Sequence, residues 1–150
     1  LKNKKSGREM TIKIKKLVES AILTKYAGPN EAGMDFYANE QAIIEPNQRK
    51  LISTGIAMAI PRGYVGLLWD RSGLAAKNGL KTMGGVIDST YRGEIKIIIH
   101  NLSTERFLVE PGMRIAQMLI QPVEQRELVE VNELEETERG AGGFGSSGLK

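Results

Sequence analysis

Towards its C-terminal end the chain reads Arg139-Gly140-Ala141-Gly142-Gly143-Phe144-Gly145-Ser146-Ser147-Gly148, and five of these ten residues are glycine. Such a stretch has almost no side chain to bury, so a flexible terminus is one reading of it. Chemistry offers another. An arginine pairs with a phosphate, an aromatic ring stacks on a base, and glycines let backbone N–H groups approach phosphate oxygens. Arg139, Phe144, Gly145, Ser146 and Ser147 are therefore what a loop closing on a phosphorylated base requires. The remaining inventory narrows the chemistry by exclusion. With no cysteine and one histidine, His100, the 150 residues offer no disulfide, no thiolate nucleophile and no zinc site of the Cys or His-cluster kind. A metal, if used, is a hard cation held by oxygens and brought in by the substrate.

The elements that position such residues have a period of two. Thr11-Ile12-Lys13-Ile14-Lys15 alternates, and so does Ile95-Lys96-Ile97 before it merges into Ile98-Ile99. Further apolar, β-rich runs cover Ile56 to Ile60, Tyr64 to Trp69, Arg106 to Val109 and Ile115 to Ile120. Between them stand turn signals at Gly28-Pro29-Asn30, Glu45-Pro46-Asn47, Pro61-Arg62-Gly63 and Pro111-Gly112. Strands about ten residues apart predict an all-β domain, as a sandwich or a closed barrel. Only Ser72 to Leu80 has the apolar spacing of a short helix, with Gly79 near its end. Glu124 to Glu138 is acidic and loses its alternation after Val131.

Length and charge agree with a single domain. A chain of this size buries roughly 68–70% of its unfolded surface, enough for a core. The formal charge of +3 is unevenly placed: residues 1–16 hold seven bases against one acid, so the remainder carries a net −3. A basic body that grips nucleic acid is not indicated, and the basic stretch has no aromatic residue on which bases could stack. No apolar run approaches the ~18 residues that cross a bilayer, and the opening residues lack the apolar centre of a secretory signal. The expectation is a cytoplasmic or other soluble compartment, with no membrane and no specific nucleic-acid partner. Residues 1–10 read as a basic extension or tag remnant, 11–138 as the β-domain, and 139–150 as a glycine-rich arm.

Four further segments join the tail in a fixed order: Ala32-Gly33-Met34-Asp35-Phe36-Tyr37-Ala38, Arg71-Ser72-Gly73-Leu74-Ala75, Gly85-Val86-Ile87-Asp88-Ser89-Thr90-Tyr91-Arg92-Gly93-Glu94, and Gly112-Met113-Arg114-Ile115-Ala116-Gln117. With Arg139 to Gly148 they closely resemble the five ordered motifs of the trimeric dUTPases, across about residues 11 to 148. The resemblance implies a distorted jelly-roll or β-barrel protomer of the β-clip type, with one short helix. It also implies a homotrimer with shared active sites, the glycine-rich arm crossing to a neighbour. The implied reaction is water attack on the α-phosphate of dUTP, giving dUMP and pyrophosphate, with Mg²⁺ on the triphosphate. Such an enzyme limits uracil incorporation into DNA and supplies dUMP for thymidylate synthesis.

The resemblance assigns roles residue by residue. Asp88 orients the attacking water and accepts its proton; taken alone, an aspartate after an apolar pair is a turn or strand-end residue. Tyr91 lies under the deoxyribose and leaves no room for a 2′-hydroxyl, although cross-strand packing is an equal use of such a ring. Gly85, Val86 and Ile87 present main-chain groups to the uracil edge, excluding cytosine by donor against donor and thymine by lack of space. Arg71, Ser72 and Gly73 open the helix and meet the α,β-phosphates, with Ser72 alternatively a plain N-cap. Gln117 is a phosphate-facing amide or an outward polar residue of its strand. Asp35 holds a water of the Mg²⁺ shell or stabilises its own turn, with no protein side chain ligating the metal directly. Arg139 takes the γ-phosphate, Phe144 stacks on uracil, and Gly145, Ser146 and Ser147 cover the phosphates. Lys96 points towards substrate or into solvent.

The sequence also departs from the family pattern. Asp70 replaces the usual proline before Arg71 and adds a negative charge near the phosphates. Phe36 replaces a leucine, Ser147 a common threonine, and Thr90 a frequent second acid. Thr82 stands where some bacterial relatives have an asparagine near the base. His100 reads as structural, and the six methionines read as core fillers. Two rival functions remain beside hydrolysis. A dCTP deaminase, or a bifunctional relative, shares the fold but needs a glutamate where this chain has Ile98 to Asn101, and has no such tail. A non-catalytic regulatory binding protein need not keep Asp88, Tyr91, Arg139 and Phe144 together.

Overall fold

The computed structural model describes residues 11–143. Among them twelve strands and one helix follow in order: β1 (Lys13–Lys16), β2 (Lys25–Tyr26), β3 (Met34–Tyr37), β4 (Ala42–Ile44), β5 (Arg49–Ile52), β6 (Ile56–Ala59), β7 (Tyr64–Trp69), α1 (Ser72–Asn78), β8 (Leu80–Met83), β9 (Val86–Ile87), β10 (Ile97–Asn101), β11 (Phe107–Val109) and β12 (Arg114–Pro122). The main sheet has the order β2-β3-β12-β7-β9, and smaller sheets are β5-β10-β8, β1-β6 and β11-β4. All eight pairings are antiparallel. The sheets pack as a jelly-roll-like shell and do not close into a barrel, which corrects the closed-barrel alternative. Most strands run for only two to four residues, and β12 slips register against β3 between Arg114 and Ala116. A continuous ladder cannot form across such breaks.

Alternation sets the core. Ile95, Ile97 and Ile99 are each about 1% exposed, while Lys96, Ile98 and His100 between them turn outward or into partial cover. Their row meets Phe36, Ile44, Ile52, Ile56, Ile115 and Met118 in one cluster. Each such side chain contributes roughly 1.5–3 kcal/mol when fully buried. Phe36, the residue that stands in place of leucine, is completely buried. Methionine is less uniform than expected: Met34, Met58 and Met118 fill the core, but Met83 is 42% exposed and lines a cleft.

All four turn signals are turns. Hydrogen bonds close them from Glu31 N–H to Gly28 O, Gln48 to Glu45, Tyr64 to Pro61, and Met113 to Glu110. Their third residues, Asn30, Asn47, Gly63 and Gly112, all take positive φ. The helix is shorter than expected, ending at Asn78 because Gly79 turns left-handed at φ 65° and bonds back to Ala75 O. Leu80 is buried, but as the first residue of β8. Ser72 is not the N-cap: Arg71 holds that position, extended at φ −86° and ψ 124°, with no side-chain cap bond. From Val123 to Gly143 the chain forms no strand or helix and exposes Leu128 at 94% and Leu134 at 86%.

Candidate active site

The expected site residues fall into two groups on one chain. The first surrounds a cleft of about 620 Å³ lined by Leu51, Leu68, Met83, Gly85, Val86, Ile87, Asp88, Tyr91, Glu94, Ile95, Lys96 and Ile98. Six of these, Gly85, Val86, Ile87, Asp88, Tyr91 and Lys96, are sequence-predicted; the apolar wall from Leu51, Leu68, Met83 and Ile98 is not. Leu68 and Ile98 lay in runs already recognised as β, whereas Leu51 and Met83 lay in none. Strand β9 pairs with β7 through Ile87 opposite Gly66 and Val86 opposite Leu67. Gly85 bends into it at φ 102°, its carbonyl accepting the Leu68 N–H at 2.8 Å. A Cβ there would stand 2.9 Å from Leu68 O, so the backbone path and the close approach both demand glycine.

Asp88 follows β9 directly and begins a turn closed by Tyr91 N–H to Asp88 O at 3.1 Å. Its carboxylate side chain is exposed and borders both this cleft and a larger one of about 1120 Å³ that holds Lys13, Arg62 and Arg92. The Tyr91 hydroxyl donates to Glu94 O at 2.8 Å, which pins the ring across the turn. Gly93 lies under that ring, where a Cβ would come within 2.5 Å of the hydroxyl oxygen. Glu94 itself reaches back to the turn between β5 and β6, accepting from Ser53 Oγ, from Thr54 N–H at 3.2 Å and from Gly55 N–H at 2.8 Å. Burial alone would raise its carboxyl, but these bonds and Lys96, 3.7 Å away, hold it below the ordinary 4.5. Lys96 thus leans on Glu94 while lining the cleft. No role had been assigned to Glu94 from sequence.

The second group sits where β3, β12 and the start of α1 meet. Asp35 is buried, with Arg71 Nε 3.2 Å from one carboxylate oxygen and Arg114 Nη1 3.3 Å from the other. Its charge is therefore divided between two guanidinium groups. Gln117 lies opposite Asp35 on β12 and donates from Nε2 to Asp70 O at 2.8 Å. Neither Arg71, Ser72, Gly73 nor Gln117 lines the cleft of the first group. Arg139 lies apart from both, its Nε bonded to Gly142 O at 2.8 Å within its own turn. Phe144, Gly145, Ser146 and Ser147 lie outside the described residues.

Comparison with known proteins decides what this arrangement belongs to. The dUTPase family model matches residues 19–148. A deoxyuridine 5'-triphosphate nucleotidohydrolase of Nautilia profundicola is 50% identical, covering 93% of this chain and 99% of its own. The chain belongs to the dUTPase family.

A second nucleotidohydrolase, from Clostridium kluyveri, is 47% identical over the same share of both chains. Among solved structures, a mutant dUTPase of Staphylococcus bacteriophage 80alpha with dUpNHpp superimposes with a TM-score of 0.83 at 35% identity, covering 93% of this chain and 99% of that one. A mutant dUTPase of phage phi11 of S. aureus, described with a structural Mg(II) ion, gives a TM-score of 0.80 at 29% identity, over 85% and 100%. The Asp70 charge, which stands where the family pattern has proline, has partners of its own. Its carboxylate turns to β8, where Lys81 and Thr82 occupy it. Among the described residues no group of three acidic or histidine side chains is placed to hold a metal. Asp35 keeps one carboxylate oxygen 3.2 Å from Arg71 and the other 3.3 Å from Arg114. No helix among the described residues is long and apolar enough to cross a membrane.

Proposed function

We propose that the chain hydrolyses dUTP to dUMP and pyrophosphate, with the cleft around Asp88 as the nucleoside half of the site. One observation carries this reading: the hairpin edge Gly85 to Ile87, the Asp88 carboxylate and the Tyr91 ring converge on a single cleft of nucleoside size. The apolar wall from Leu51, Leu68 and Ile98 excludes water from one side, while the main chain of Val86 and Ile87 reads the base edge. A donor of a 4-amino group meets a donor there and leaves a buried polar group unpaired, which is what makes base discrimination large. Tyr91, pinned by its hydroxyl to Glu94 O, offers a fixed ring face to the sugar.

Asp88 carries the chemistry. It stands exposed at the junction of the two clefts, where water reaches it and where a triphosphate leaving the first cleft must pass. Its carboxylate orients that water towards the α-phosphorus and takes its proton as the P–O bond forms and pyrophosphate leaves. The gain is mainly positional, since a held water replaces a bimolecular encounter. Bound Mg²⁺ on the triphosphate supplies charge neutralisation and activates pyrophosphate as a leaving group. Arg71 is prepared for the phosphates by Asp35, which fixes its guanidinium, and Ser72, Gly73 and Gln117 stand beside it. Lys96, Arg139 and the Phe144 to Ser147 segment complete the binding set.

The two groups do not share a cleft on one chain, which supports completion of each site by neighbouring copies in a homotrimer. The apolar side chains Leu128, Val129, Val131 and Leu134 are 94%, 70%, 54% and 86% exposed in the single chain. A second copy is the surface that would cover them and carry the glycine-rich arm across.

The test is pyrophosphate release from dUTP, dCTP, dTTP and UTP with Mg²⁺, each product identified, for the native chain and Asp88→Asn. Hydrolysis confined to dUTP and lowered at least ~10²-fold by the substitution is expected. Turnover of none of the four, or dUTP or dUMP formed from dCTP, would overturn the reading.

A further inference from the structure

Trp69 ends β7 and Ser72 opens α1, so the chain turns within Asp70 and Arg71. Asp70 and Thr82 are two departures from the family pattern, twelve residues apart, and the structure brings them together. Asp70 Oδ1 accepts both the Thr82 backbone N–H and the Thr82 hydroxyl at 2.6 Å, while Oδ2 accepts from Lys81 Nζ at 2.9 Å. Its backbone carbonyl takes Gln117 Nε2 at 2.8 Å. One residue thus gathers four donors from β8 and β12. Burial alone would raise the Asp70 carboxyl, but the bonds from Lys81 and Thr82 prevail and hold it below the ordinary 3.8.

Position gives the contact its consequence. Asp70 is covalently next to Arg71, on the phosphate side. Thr82 is followed by Met83, Gly84 and Gly85, and Met83 and Gly85 line the nucleoside cleft. Gly84 and Gly85 both hold positive φ, so the segment has few side chains to stiffen it and needs an anchor at its root. The only pairing that β8 makes among the described residues is to β10, which leaves its other edge to Asp70.

We propose that Asp70 is a positioning residue whose carboxylate, through Thr82, fixes the base-reading hairpin Gly84 to Ile87 relative to the phosphate-side segment Arg71 to Gly73. It touches no substrate, and its charge is answered by Lys81 rather than offered to the triphosphate. Two departures that look independent along the chain are one device: the aspartate supplies the acceptor, and the threonine supplies both donors. If sites are completed by neighbouring copies, the same staple sets the spacing between the two half-sites on every chain. The proposal deepens the dUTP-hydrolysing reading and rests on it for its kinetic arm only.

The experiment compares Asp70→Ala, Asp70→Asn, Thr82→Val and the Asp70→Ala/Thr82→Val pair in the full chain. Amide exchange at Gly84, Gly85 and Val86 without nucleotide is expected to quicken about tenfold in Asp70→Ala, the scale of one lost charge-assisted hydrogen bond. Asn keeps an acceptor for Thr82 and is expected to restore most of the protection. The ratio of kcat/KM for dUTP over dCTP is expected to fall by about tenfold in Asp70→Ala and in Thr82→Val, with the pair no worse than the more impaired single variant. Unchanged hairpin exchange, or a lowered Tm with the selectivity ratio intact, would overturn the proposal. Should Asp70→Ala not fold, Thr82→Val and Asp70→Asn carry both readouts. If the native chain turns over no dUTP the functional reading fails, and hairpin exchange alone still decides the positioning.

Discussion

Asp35→Ala tests how the phosphate-side group is held together. The Asp35 side chain is 10% exposed and divides its carboxylate oxygens between Arg71 and Arg114, at 3.2 and 3.3 Å. Hydrogen bonds to charged partners are worth about 1.5–3 kcal/mol each, whereas exposed ion pairs are worth ~0.2–1 kcal/mol. The two arginine side chains differ, at 29% and 48% exposed, so Arg71 belongs nearer the first range and Arg114 nearer the second. Both can recover water once released, which removes most of the penalty of an orphaned buried charge. The sum is about 2–3 kcal/mol, and for a domain of this size each kcal/mol moves Tm by roughly 2–4 °C, giving a fall of about 4–12 °C. Asn in place of Ala keeps one acceptor and is expected to lose about half as much. The assay is urea unfolding at fixed protein concentration, because assembly would couple to stability. The slope in urea should stay constant while the midpoint falls. Raising salt from about 0.1 to 1 M should change the difference little, since the carboxylate is buried and its partners are in contact. A loss below ~0.5 kcal/mol in Asp35→Ala, or one that salt abolishes, would refute the view of Asp35 as the buried clamp of Arg71. KM for dUTP should rise with the loss of stability, because Arg71 then regains the rotamer freedom the clamp removes.

Other substitutions probe the supports of the nucleoside cleft. Asn101 is fully buried and bonds Ile44 O at 2.9 Å, Glu105 O at 2.7 Å and the Ser103 N–H and hydroxyl at 3.0 and 2.7 Å; Asn101→Ala is expected to cost about 2–4 kcal/mol in chemical unfolding. Gly85→Ala meets Leu68 O at 2.9 Å in a left-handed backbone, so kcat/KM for dUTP should drop at least ~10-fold, with about 1–3 kcal/mol of strain seen in Tm. The Glu94 and Asp70 carboxyls both lie below their ordinary values. The stability they contribute is therefore complete above the unfolded values of 4.5 and 3.8 and lost as pH falls through the lower folded ones. Glu94→Gln should flatten the acid limb of stability below about pH 5, measured by unfolding midpoints from neutral pH to pH 3; an unchanged limb would count against the Glu94 cap.

What the sequence made legible was periodic or punctuated. Strong runs such as Tyr64 to Trp69 and Ile115 to Ile120 became β7 and β12 because each has enough β-branched or apolar residues to announce a buried face. The proline and asparagine turns were equally plain, since few residues other than Gly and Asn accept positive φ. Strands β2, β3, β4, β5, β8 and β9 were missed for the opposite reason: at two to four residues they present no measurable period. Their conformation is imposed by the partner across the ladder, as when Arg49 to Ile52 pairs with β10 while three of its four side chains face solvent. Legibility of the site followed the same division. Asp88 and Tyr91 lie three positions apart around one turn, so their motif already fixes their relation. Asp35 and Arg114 are separated by 79 positions and Ser53 and Glu94 by 41, and nothing local in either partner announces the other.

The departures at Asp70 and Thr82 show why such long-range pairs matter for reading substitutions. Seen singly, an aspartate beside a phosphate-binding arginine is an electrostatic fault, and a threonine in place of an amide is a lost base contact. Seen together, the two satisfy each other, and the charge that looked misplaced is matched by Lys81. The same holds for Glu94, whose carboxylate would be a repulsive neighbour for a nucleotide if it faced the cleft without partners. It is turned instead onto the donors of the β5–β6 turn, with Lys96 beside it. Four carboxylates lie in or beside the two groups, and three of them, Asp35, Asp70 and Glu94, are answered by cations and N–H or O–H donors. Asp88 is the one left exposed at the cleft rim with no side-chain partner among the described residues. An acid proposed to meet a water and a triphosphate has to remain unengaged, and neutralised neighbours would let a polyanion approach it.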